Sequence, residues 1–225
     1  SKNPFGRYSI PAQKTLTVGA VVVFVLTASV EASYYAFAPD NSESQGVVGA
    51  YNVTANFETI VLDNGGEYIA DGETFVLNLS TDSLSGADAM NIVGAKIVMT
   101  YSEDESSQGA GCLLFPGAAD TESDTITGML MHSGFNASAD GQNQDGAPAS
   151  HETLVEWYDA SMIGNVSNVT KADIMAGLDS NGAGLGGYSI EISVVASAGN
   201  GFLCTNTDNG ENVDYTIELI VLDYT

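Results

Sequence analysis

The chain has 225 residues, enough for one sizeable domain and an appendage, with a formal net charge of −24 and 44% hydrophobic side chains. Five lysines and arginines stand against 29 aspartates and glutamates, a balance that repels polyphosphate and excludes nucleic-acid binding. The apolar content excludes a disordered acidic tail, and an acidic, lysine-poor surface suits either high salt (a halophilic setting) or an extracellular surface that binds divalent cations or simply resists sticking.

Charge is unevenly placed. Residues 1–38 hold Lys2, Arg7 and Lys14 against Glu31, whereas residues 39–225 hold only Lys96 and Lys171 against every other acidic side chain. After a short N-terminal extension, residues 1–10, a hydrophobic helix is expected over 11–38. Residues 16–30 carry no charge, and a helix over 16–38 is about 35 Å long, enough for a bilayer core of about 30 Å. Pro11 suits its first turn and Pro39 its end. Basic residues before the span and acidic ones after it place the N-terminus inside and the C-terminus outside. The run "VEA" before Ser33 also suits a signal peptidase, so anchor and secretion signal both stay open. Glu31 is costly against hydrocarbon, and Ala28, Ala32 and Ala36 form a row of small residues at four-residue spacing that lets helices approach closely. Together they predict helix–helix packing.

Beyond a linker at 39–45, the period changes from helical to alternating, and residues 46–225 read as an acidic β ectodomain. Tyr51, Val53, Ala55, Phe57 and Val61 share one face of a first strand, and "DNGG" at 63–66 signals a turn. Phe75, Leu77 and Leu79 mark a second strand; Ala95, Ile97, Met99 and Tyr101 a third. "CLLF" at 112–115, "TITGMLMH" at 125–132 and "TLVEWY" at 153–158 read as further strands, with 133–151 a long polar loop. A short helix is expected at "TKADIMAGL" with Thr170 as its N-cap. The last two strands alternate through Tyr188, Ile190, Ile192 and Val194, and through Val213, Tyr215, Ile217, Leu219 and Val221. The fold class expected is mainly β: an N-terminal hydrophobic α-helix, transmembrane or filament-core, followed by an antiparallel β-sandwich, Ig-like, because two sheets each bury one apolar face against the other.

Chemistry is sparse. Cys112 and Cys204 are the two cysteines; no Cys/His metal spacing joins them, and outside the cytoplasm one disulfide is expected. "MLMHSGF" sets Met129 and Met131 beside His132, a copper-like trio, but strand alternation turns His132 to the opposite face, which favours core packing. His151 reads as solvated. No G-x-S-x-G, no cysteine near a histidine and no phosphate loop occurs, so no enzyme and no catalytic residue is expected. The acidic runs "SEDESS" (102–107), "DTESD" (120–124), "DGQNQDG" (140–146) and "TDNGEN" (207–212) offer loop oxygens to Ca²⁺, the one cofactor the sequence suggests, although none has EF-hand spacing. Five N-x-[ST] sequons make Asn52, Asn78, Asn136, Asn165 and Asn168 candidates for glycosylation.

The run "LTVGAVVVFVLTASVEASYYAFA" (16–38) and the alternating strands after it make the layout of the whole chain resemble archaeal pilins and archaellins. The resemblance implies a helix packed in a filament core with a β head outside. It differs in that "SKNPFGRYSIPAQK" precedes the helix. The function expected is a non-enzymatic structural subunit of a filament, envelope or surface coat. Its partners would be copies of itself or other membrane subunits, with 16–38 in the membrane. The alternative is an accessory single-pass subunit that caps a membrane enzyme complex.

Overall fold

The computed structural model describes residues 46–102, 106–114, 122–143, 148–198, 200–201 and 203–225. The N-terminal extension 1–10, the helix 11–38 with Ala28, Glu31, Ala32 and Ala36, and the linker 39–45 lie outside the described residues. Among the described residues, no helix is long and apolar enough to cross a membrane.

Residues Val48–Thr225 form one compact unit. In chain order its elements are β1 (Gly49–Val53), β2 (Ala55–Ala70), β3 (Thr74–Ser80), β4 (Ile92–Tyr101), β5 (Ser106–Gln108), α1 (Ala110–Leu114), β6 (Thr125–His132), β7 (Phe135–Gln142) and β8 (Ala149–Glu156). There follow β9 (Gly164–Val169), α2 (Lys171–Leu178), β10 (Gly187–Val195), β11 (Asn200–Gly201), β12 (Cys204–Thr207) and β13 (Gly210–Tyr224). The unit is mainly β, and its strand pairs are antiparallel. One four-stranded sheet runs β2-β13-β4-β8 and a second β3-β10-β6-β7; β11-β12-β5 make a small third sheet and β1-β9 a ribbon.

Alternation explains the core. Ile97 and Met99 of β4 and Ile217 and Leu219 of β13 are fully buried in one cluster with Ile126 and Leu130 of β6 and Ile190 and Ile192 of β10. The apolar faces of the two large sheets therefore share one core. A hydrogen bond crosses that core, from the Thr153 hydroxyl on β8 to the Gly128 carbonyl on β6 at 3.0 Å. Outside it, the directly opposed Lys96 and Glu218 form an ion pair at 2.9 Å on the polar face of the first sheet. A bulge between Ile220 and Val221 reverses the parity of β13. Val221 is left only half-buried, while Ile220 and Leu222 enter a second cluster with Val93, Val53, Ile174 and Leu178.

The alternating runs at 75–79, 95–101 and 188–194 form strands with the expected inward faces, Phe75, Leu77 and Leu79 only half-buried. The helix at α2 forms as expected: the Thr170 hydroxyl accepts from the Asp173 amide, and Asp173 accepts back from the Thr170 amide. Four expectations about the elements need correction. The run at 51–61 is not one strand with one buried face: β1 pairs with β9, β2 with β13, and Phe57 and Val61 are exposed. Residues 63–66 are strand, not turn: β13 supplies partners from Ile217 to Asp214 along them. A Cβ at Gly65 would lie 2.7 Å from the Tyr215 hydroxyl, so that glycine admits the ring of its cross-strand neighbour. Cys112, Leu113 and Leu114 are helical. Leu113 and Leu114 are 86% and 69% exposed, so neither large sheet offers that segment an apolar face. The stretch 133–151 is no continuous loop. Ser133 and Gly134 both have positive φ, 45° and 90°, the backbone of a tight hairpin turn, and they return the chain as edge strand β7.

Candidate metal centre

At one end of the unit the chain brings three carboxylates together. Asp124 precedes β6, Asp208 lies in the turn between β12 and β13, and Glu211 is the second residue of β13. One carboxylate oxygen from each lies within 4.8 Å of the others. Asp124 and Glu211 are 0% exposed. Strand parity puts them there: Glu211 shares the inward parity of Val213, Tyr215 and Ile217, and Asp124 that of Ile126 and Leu130.

A frame of hydrogen bonds holds the carboxylates. The Asp124 amide donates to Oδ1 of the fully buried Asn143 at 3.0 Å, and the Asn143 side-chain amide donates to Glu211 Oε1 at 3.2 Å. Asp124 Oδ1 accepts from the Ser197 amide at 2.7 Å, and Asp208 Oδ1 from the Gly210 amide at 3.1 Å. Asp124 Oδ2 is buried and receives no hydrogen bond. A buried acceptor left without a donor costs about 1–3 kcal/mol, and more when it is charged, unless a positive charge faces it.

Neither lysine of residues 39–225 supplies that charge. Lys96 is paired with Glu218, seven residues and roughly 20 Å along β13 from Glu211. Lys171 lines a pocket with Tyr224 and Thr225, roughly 40 Å along the same strand. An all-oxygen set of three carboxylates is the donor chemistry of a hard divalent cation, not of zinc or copper. The residues present can hold such an ion.

Three of the four acidic runs read from the sequence meet here: "DTESD" contributes Asp124, "TDNGEN" Asp208 and Glu211, and "DGQNQDG" the bridging Asn143. "SEDESS" lies partly outside the described residues. Parity distinguishes Asp124 from its acidic neighbours, but the convergence comes from the pairing of distant strands.

The other candidates fall into place. Cys112 and Cys204 form a disulfide with Cα atoms 5.0 Å apart. His132 is 2% exposed, and its Nδ1 and Nε2 lie 2.8 and 2.6 Å from the carbonyls of Gly187 and Ala183. Its ring stacks on Tyr188 at 4.0 Å. With both nitrogens committed it is a packing residue, as alternation predicts, with Met129 and Met131 on the other face. His151, expected in solvent, is half-buried instead, with Nδ1 3.1 Å from the Tyr101 hydroxyl, and burial holds its pKa below the ordinary value. All five sequon asparagines are exposed. Asn52 and Asn165 are directly opposed on β1 and β9, while Asn78 and Asn136 share one cross-strand row through Ser189 and Met131. Asn136 thus lies on a strand and not in a loop. Asn168 has a positive φ of 61°, a conformation asparagine tolerates. No protein-family model matches the chain, and no curated protein matches it significantly.

Proposed function

We propose that the chain is a non-enzymatic structural subunit of an extracytoplasmic assembly, a filament or a surface coat. Its apolar segment 16–38 makes the assembly contacts and its β unit forms the acidic exterior. In this reading the two large sheets are an Ig-like β-sandwich, and the centre at Asp124, Asp208 and Glu211 takes calcium. The Cys112–Cys204 disulfide is the observation that carries the proposal, because such bonds persist where the compartment is oxidising. Outside a cell, calcium is abundant and a carboxylate centre has its natural ion. The exposure of all five sequon asparagines fits a surface that carries glycans.

Extraction from the native source in mild detergent, followed by size analysis and mass spectrometry of the co-eluting species, tests the proposal. A large species made of this chain alone, with Cys112 and Cys204 oxidised, is the expected result. Stoichiometric partners that carry cofactors would refute it and favour the accessory-subunit reading.

A further inference from the structure

The carboxylate centre sits where elements of three sheets end. Ser197, whose amide binds Asp124, follows β10; Asp124 leads into β6; Asn143 follows β7; Asp208 follows β12; and Glu211 is the second residue of β13. β6, β7 and β10 belong to one large sheet, β13 to the other and β12 to the small sheet that carries Cys204. The turn between β2 and β3 also bonds across this end, the Asp71 amide to the Asn209 carbonyl and the Gly72 amide to the Val194 carbonyl, and the side chains of the centre add a second link.

Resting on the reading that the centre takes calcium, we infer that the bound ion is a latch: it closes this end of the β unit, and external calcium controls whether the end is closed or open. Two observations carry the inference. Asp124 Oδ2 is fully buried without a hydrogen-bond donor, in a site where two further carboxylates contribute oxygens within 4.8 Å. Each carboxylate is also tied to the chain: Asp124 accepts from the Ser197 amide, Asp208 from the Gly210 amide and Glu211 from Asn143. Without the ion, like charges at this spacing repel in a medium of low dielectric constant, and the separation that relieves them breaks those ties. With the ion, the carboxylates separate only after it leaves. Local opening then falls by the factor 1 + [Ca²⁺]/Kd, about 100-fold at 100 times Kd.

Hydrogen–deuterium exchange on the full-length protein reads this opening directly. The reporters are the amides of Asp124, Ser197 and Gly210; the control is the Ile174 amide, bound to the Thr170 carbonyl in α2. EDTA-treated protein is titrated with CaCl₂ and, in parallel, with MgCl₂ at matched ionic strength. Isothermal titration with CaCl₂ measures Kd independently. Exchange at the reporters should slow in proportion to free calcium, reaching about 100-fold at 100 times Kd, while the control stays constant and Asp124→Asn or Glu211→Gln abolishes the response. One ion bound per chain with unchanged reporter exchange would overturn the latch and leave the calcium site standing. No calcium binding at all would overturn both. Equal slowing at Ile174 would show a global effect and likewise overturn the latch.

Discussion

Gly128 is a point of close approach between the two large sheets, and replacing it tests their packing. A Cβ at this position on β6 would lie 2.8 Å from Met99 Sδ on β4 and 2.9 Å from Thr153 Oγ1 on β8, with the Met99 methyl closer still. Met99 is 0% exposed, so its side chain has no solvent to retreat into. Gly128→Ala is therefore an overpacking change of about 2 kcal/mol. Met99→Ala alone removes a buried thioether and leaves a cavity, at about 3 kcal/mol. In the double variant the alanine Cβ occupies part of that cavity. The two costs should then fall short of additivity by about 1 kcal/mol or more. Urea unfolding of the four proteins, followed by fluorescence of the single tryptophan, Trp157, measures the cycle. A neutral Gly128→Ala, or strict additivity with Met99→Ala, would refute the face-to-face packing of β6 on β4.

Three further outcomes are expected. Cys112 and Cys204 close a loop of 92 residues, so Cys112→Ser should cost about 4–5 kcal/mol on the chain-entropy account; a loss of unfolding free energy in urea of less than a quarter of that would contradict it. Burial keeps His151 neutral in the folded protein at pH values where the unfolded chain, with a pKa near 6.5, takes up a proton. Its contribution is then intact above about pH 6.5 and is lost as the pH falls towards the folded value. The wild type should lose more stability between pH 7.5 and 5.5 than His151→Gln, and parallel curves in urea titrations at each pH would refute the assignment. Thr170→Ala removes the hydroxyl that caps α2; a loss of about 1 kcal/mol in thermal unfolding is expected, with Thr170→Ser largely restoring it.

Much of this protein follows from local pattern alone. A strand side chain's direction is set by its own backbone, so alternation assigned the buried faces of β4, β10 and most of β13, and turned His132 away from Met129 and Met131, before any partner strand was known. Capping is equally local, which is why Thr170 and Asp173 marked the start of α2. Pairing is not local. Residues 63–66 have the composition of a turn and become strand because β13 offers its edge to them, and the bulge after Ile220 moves the last apolar residues of β13 into a second core. β7 is too polar to signal a strand, but an edge needs no apolar run once β6 supplies its hydrogen bonds. For the carboxylate centre the two kinds of information divide cleanly: the sequence determined that acidic runs flank the strands, and only the order β3-β10-β6-β7 beside β13 decided that Asp124, Asp208 and Glu211 meet. The reason is physical: a residue's rotation about its strand is fixed within a few bonds, but its neighbour across space is fixed by whichever distant strand completes the sheet.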